Sequence, residues 1–162
     1  MIKLLITGGT IDKDYDKITG KLVFSKTHIP EMLRQSNCQV AITEQVLMLK
    51  DSLEITEKDR QTIVQACIDS SENKIVITHG TDTMVLTAQA LENHPKLKNK
   101  TIILTGAMRP FKLGNSDALF NLGTAFTATK IARGGAYIAM NGELFPASNV
   151  LKNTDLGIFI TA

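Results

Sequence analysis

Short apolar runs rich in β-branched residues alternate along this chain with longer segments of helical spacing. That alternation restricts the fold more than any other feature. Ile2–Thr7, Val40–Leu47, Lys74–Thr78, Thr101–Thr105 and Ala136–Met140 read as strands, and a further apolar run, Gly157–Thr161, closes the chain. Most are bounded by Gly, Asn or Asp, the pattern of strands buried on both faces. Between them, Thr56-Glu57-Lys58-Asp59 opens a helix with an N-cap and an acidic first turn, followed by Ile63, Val64, Ala66, Cys67 and Ile68 at roughly helical spacing. Met84–Glu92 and Ser116–Ile131 read as two more helices and Pro30–Gln35 as a shorter one. Strands alternating with helices build βαβ units. The expected fold class is therefore α/β: a three-layer, largely parallel open sheet with helices on both faces, Rossmann- or flavodoxin-like. No Pro- or Ser-rich linker divides residues 1–162, which read as a single domain.

Composition narrows the function. With 43% hydrophobic and 21% charged residues, the chain is neither disordered, nor collagenous, nor a disulfide-stapled miniprotein. A net charge of +2 without a basic stripe argues against a nucleic-acid partner. No apolar run approaches the roughly 18 residues of a membrane span, so no membrane partner is expected. Met1–Ile6 is too short for a signal-peptide core and runs directly into Thr7-Gly8-Gly9-Thr10, so it reads as the first strand of the mature protein. Cys38 and Cys67 keep neither metal nor redox spacing. Reduced thiols in the cytoplasm are expected, with a secreted protein holding one disulfide as the alternative.

The chemistry-bearing residues gather in four turns. Thr7–Thr10 follows the first strand, Asp51-Ser52 the second, His79-Gly80-Thr81-Asp82-Thr83 the third and Gly106-Ala107-Met108-Arg109-Pro110 the fourth. In an open parallel sheet these turns share the carboxyl edge of the strands, where ligands bind.

Two of these turns carry both a functional and a structural reading. The glycines of Thr7-Gly8-Gly9-Thr10 suit a phosphate cradle or a tight turn at positive φ, although neither G-x-G-x-x-G nor the P-loop pattern is present. In the third turn, hydroxyls beside a carboxylate suit proton handling and recognition of an ammonium group. Thr81, Asp82 or Thr83 could equally N-cap the helix that begins near Met84. His79 invites a metal or general-base reading but has no partner at metal spacing. His28 and His94 read as surface or loop residues. Lys152 reads as one solvated lysine among many, unless burial beside a Thr hydroxyl makes it a base.

Thr7-Gly8-Gly9-Thr10-Ile11, His79-Gly80-Thr81-Asp82-Thr83-Met84 and Leu104-Thr105-Gly106-Ala107-Met108-Arg109-Pro110 closely resemble the bacterial-type L-asparaginases. The resemblance spans essentially the whole chain but only the larger N-terminal domain of the usual member. It therefore implies the asparaginase N-terminal α/β domain in a short, single-domain form with no C-terminal domain. It also implies hydrolysis of L-asparagine to L-aspartate and ammonia, with L-glutamine a weaker substrate and no metal or organic cofactor. By position, Thr10 matches the nucleophile that forms an acyl-enzyme, and Thr81, Lys152 and Asp82 match a second Thr–Lys–Asp group. Asp82 also matches the carboxylate that holds the substrate α-ammonium, and Asp51-Ser52 the segment whose Ser binds the α-carboxylate. Gly80, Thr81 and Ala107 match positions whose backbone lies against the substrate side chain, with N–H groups forming an oxyanion hole, and Gly9 is a further expected substrate-binding position. Tyr15, the only tyrosine of the loop Asp12–Phe24, takes the role of orienting Thr10.

The resemblance further implies self-association to a dimer or tetramer. Without a neighbouring C-terminal domain, a less selective site with a raised KM is expected. Other readings stay open beside this one: an asparaginase-like binding or sensor domain without turnover, a different amidase, and a Rossmann-like nucleotide binder.

Overall fold

A computed structural model describes every residue from Met1 to Ala162. In chain order the elements are β1 (Ile2–Gly8), the hairpin β2 (Asp14–Asp16) and β3 (Lys21–Val23), α1 (Ile29–Gln35), β4 (Ile42–Lys50) and α2 (Glu57–Asp69). Then follow β5 (Lys74–Thr78), α3 (Met84–Glu92), β6 (Thr101–Thr105), α4 (Ala118–Ile131), β7 (Gly135–Met140), β8 (Glu143–Pro146), β9 (Leu151–Asn153) and β10 (Ile158–Ile160).

The main sheet has the order β4-β1-β5-β6-β7-β8. Its first five strands are parallel, and β8 is antiparallel to β7. Side chains of β1, β5 and β6 point alternately to opposite faces. Leu5, Ile75, Ile77 and Ile102 meet Ile63 and Cys67 of α2 and Met84, Ala88 and Leu91 of α3 on one face. Leu4, Ile6, Val76 and Ile103 meet Ile29 and Met32 of α1 and Leu122, Ala125 and Phe126 of α4 on the other. The α/β three-layer expectation holds, and its order is the flavodoxin-like 2-1-3-4-5. The order reverses between β1 and β5, so the switch-point crevice opens at their carboxyl ends.

Local signals account for the boundaries. Thr56 caps α2 through its side chain, and Asp59 returns a bond to the Thr56 backbone, a complete capping box. No helix is long and apolar enough to cross a membrane.

Several elements differ from the sequence expectation. β4 is not buried on both faces: it forms the sheet edge, and Glu44, Gln45 and Val46 are exposed. The terminal apolar run does not join the main sheet. Its strand, Ile158–Ile160, pairs antiparallel with β9, and only Phe159 enters the core. α4 starts at Ala118 rather than Ser116, because the Asp117 carboxylate accepts from the Met108 and Arg109 N–H groups. β2, β3, β8 and β9 are too short to register as apolar runs. His28 lies in the loop before α1, as expected, but it is buried there, and its backbone N–H donates to Asp12 Oδ1 at 2.7 Å. His94 is half-exposed in a loop, as expected.

Candidate active site

The turns that follow β1 and β5 meet at the switch point. The Thr7 hydroxyl donates to Thr78 O at 2.7 Å, tying the strand ends together. Gly9 stands at φ +80°, and a Cβ there would lie 2.5 Å from Gly80 Cα. A Cβ on Gly80 would lie 2.6 Å from Ser52 Cβ. Only glycine lets three backbone segments stack this closely. The Gly9 N–H donates to Lys50 O at 2.9 Å, so it is not free for a phosphate; the tight-turn reading holds there.

Thr10 opens a single 3-10 turn, Thr10–Asp12. It is half-buried, and its hydroxyl has no hydrogen-bond partner. Below it, Asp12 is fully buried, and its carboxylate accepts from the Thr27 hydroxyl and the His28 N–H. Burial pushes the Asp12 carboxyl above its usual range despite those bonds.

Ser52 is 2% exposed, and the Asp82 N–H donates to its Oγ at 3.1 Å. The Thr83 hydroxyl donates to Ser52 O at 2.7 Å. Thr83 is the N-cap of α3 but makes no side-chain capping bond; its hydroxyl is used to bind the Ser52 turn instead. Asp51 accepts from Leu53 N–H and pairs with Lys13. The Lys13 ammonium holds the Asp51 carboxyl below the usual range, and the more distant Lys152 adds to this.

Lys152, on β9, reaches across to the β5 turn. Its Nζ donates to Thr81 Oγ1 at 2.8 Å and pairs with Asp82 Oδ1. Thr81 is 6% exposed, whereas the Asp82 side chain is 42% exposed and open to a ligand. Lys152 is thus no solvated surface lysine. The backbone N–H groups of Gly80, Thr81 and Ala107 find no acceptor in the chain.

His79 plays a different part. It is fully buried, with Nδ1 2.7 Å from Gly80 O and Nε2 2.9 Å from the Thr87 hydroxyl. A carbonyl only accepts, so Nδ1 carries the proton and Thr87 donates to Nε2. Burial pushes its pKa down to about 4. Both nitrogens are occupied; His79 braces the turn and neither binds metal nor acts as a base.

Tyr15 sits on β2 opposite Leu22 and is 55% exposed. Its hydroxyl approaches the hairpin turn at Gly20, and no hydrogen bond joins it to Thr10. Three residues of this region escaped the sequence reading. Lys13 pairs with Asp51, while Asp117 and Asn121 support the β6 turn. Asn121 Nδ2 donates to Gly106 O at 3.0 Å. None of the three sits in a recognisable motif, so only the packing reveals them.

A flavodoxin-like sheet with a part-buried Lys152–Thr81 contact and an exposed Asp82 carboxylate at its switch point defines an α/β protein with a polar crevice where the strand order reverses. The family is identified by comparison. Residues 1–157 match the family described as Asparaginase, N-terminal. The chain belongs to the asparaginase family. It is 34% identical to the L-asparaginase of Thermococcus kodakarensis, across 97% of this chain and 49% of that protein. The solved structure of the thermostable L-asparaginase from that organism superimposes with a TM-score of 0.86 at 30% identity, over 99% of this chain and 50% of that one. A glutaminase-asparaginase of Acinetobacter glutaminasificans is 30% identical over 96% of this chain and 50% of that protein. A glutamyl-tRNA(Gln) amidotransferase component of Methanococcus maripaludis is 32% identical over 88% of this chain and 35% of that protein. The chain spans between about a third and a half of the length of these relatives.

Proposed function

We propose that the chain carries an L-asparaginase active site, which hydrolyses the side-chain amide of L-asparagine and, more weakly, that of L-glutamine. The observation that carries this reading is the Lys152 Nζ–Thr81 Oγ1 contact of 2.8 Å beside the Asp82 carboxylate.

In this reading Thr10 Oγ attacks the amide carbon, and the amide nitrogen takes up a proton and leaves as ammonia. An ester between Thr10 and the aspartyl group remains. Water then adds to the ester carbon, the Thr10 oxygen leaves with a proton, and L-aspartate is released. A threonine hydroxyl is a weak nucleophile and needs help with its proton. Lys152 donating to Thr81 Oγ1 makes that hydroxyl a better proton donor and holds it still. Thr81 serves the leaving nitrogen and the incoming water. The free N–H groups of Thr81 and Ala107 suit the negative charge that develops on the amide oxygen. Asp82 is exposed enough to receive the substrate ammonium. Ser52 Oγ already accepts from Asp82 N–H, which leaves its own proton for the substrate carboxylate. Tyr15 reaches Thr10 when the β2–β3 hairpin closes over bound substrate.

Ammonia release from L-asparagine and L-glutamine, measured beside Thr10→Ala and Lys152→Ala, tests this. Release that vanishes in both variants supports the assignment; release that survives Thr10→Ala overturns the nucleophile. The likeness to a glutaminase-asparaginase favours a second reading, in which L-glutamine is the main substrate. A larger kcat/KM for L-glutamine than for L-asparagine would select it.

A further inference from the structure

One side chain links three pieces of this site. Lys13 directly follows the 3-10 turn that begins with Thr10, and its backbone is extended there. Its Nζ pairs with Asp51 Oδ2 and lies 5.7 Å from the centre of the Phe24 ring, just past β3. Such a cation over an aromatic face is attracted to it. The Lys13 side chain is 18% exposed and that of Asp51 31%, so water screens the pair only in part.

Asp51 is an awkward neighbour for an anion. Its backbone adjoins Ser52, the residue assigned to the substrate carboxylate, and its Oδ1 is held toward Leu53 N–H at 3.1 Å. An uncompensated carboxylate in that place repels a ligand carboxylate, and like charges brought together weaken binding. No other cation pairs directly with Asp51.

We propose that Lys13 is a positioning residue for the amino-acid subsite: its ammonium cancels the Asp51 charge beside Ser52 and latches the β2–β3 hairpin, through Phe24, to the Asp51–Ser52 turn. Lys13 touches no reacting atom. It acts on the affinity for the anionic end of an α-amino acid and on the resting position of the hairpin that carries Tyr15. This inference rests on the asparaginase reading for its substrate.

The test compares the parent with Lys13→Met, Asp51→Asn and the double variant. Methionine keeps an apolar stem against Phe24 without charge, and asparagine keeps an acceptor for Leu53 N–H. Lys13→Met raises KM for L-asparagine and Kd for L-aspartate about tenfold and leaves kcat within about threefold, while the double variant stays within about threefold of Asp51→Asn alone. A merely structural lysine would lower Tm and move neither constant. An unchanged KM in Lys13→Met, or an equal penalty with and without the Asp51 charge, would overturn the proposal. Ammonia release absent from the parent would instead count against the hydrolase reading. Calorimetric binding of L-aspartate and hydrogen exchange in Asp14–Val23 then decide on Lys13, and exchange unaltered by Lys13→Met would overturn the latch.

Discussion

Lys152 Nζ lies 2.8 Å from Thr81 Oγ1 although 71 positions of sequence separate them. The contact joins a strand of the small β9–β10 ribbon to the turn after β5, and it brings a cation against a hydroxyl that is almost wholly shielded from water. Removing the cation should therefore affect chemistry more than folding. Lys152→Met is expected to lower turnover of L-asparagine by about 10²- to 10⁴-fold, the range lost with a proton-transfer group. Stability should fall by about 1 kcal/mol or less, because Asp82 is 42% exposed and regains water. Initial rates and urea unfolding on one preparation check both.

The stacking of Gly9 on Gly80 leaves no room for a methyl group. In Gly9→Ala the new Cβ would stand 2.5 Å from the Gly80 Cα, at φ +80°. We expect a loss of about 3 kcal/mol or more, from strain and overpacking together. Gly114→Ala separates the two: its φ is +68° but its surroundings are open, so about 1–2 kcal/mol is expected. Equal losses in the two variants would show that the close approach does not matter.

His79 links stability to pH. In the folded protein burial keeps its pKa near 4, against an ordinary 6.5. The unfolded chain therefore binds the extra proton between these values. The stabilising contribution of neutral His79 is fully present above about pH 6.5 and declines as pH falls toward 4. The loss over that window is about 3 kcal/mol for this group. Urea unfolding of the parent and of His79→Asn at several pH values isolates it. The parent's advantage should shrink on acidification; a constant difference would refute the assignment.

Tyr15 is half-exposed, and its hydroxyl makes no hydrogen bond to Thr10. Tyr15→Phe should leave stability within about 0.5 kcal/mol. If hairpin closure brings its hydroxyl to Thr10, kcat should still fall about 10²-fold, the scale of a misplaced reacting group. Unchanged turnover would remove Tyr15 from the mechanism.

How much of the fold and the site is legible in the sequence varies by element. β5 and β6 have the expected boundaries, because both are short apolar runs in the middle of the sheet. The α2 start is readable from Thr56 and Asp59, which form a local capping box. β4 misleads, because edge strands and buried strands share β-branched composition while only one of them faces water. The His79-Gly80-Thr81-Asp82-Thr83 turn signals polar chemistry, but its division of labour is invisible along the chain. Thr83, which could have capped α3, bonds to Ser52 O, and His79, the conspicuous base, is spent on Gly80 O and Thr87.

The sequence by itself determined the α/β class, the parallel core strands and the four polar turns. Residue periodicity and turn chemistry are local properties, written within a few positions. The tertiary structure decided which turns touch. The reversal of strand order places Gly9 against Gly80, and the β9–β10 ribbon, outside the main sheet, carries Lys152 to Thr81. Such contacts depend on strand order and on where a side chain 71 positions away comes to rest. No spacing along the chain encodes that.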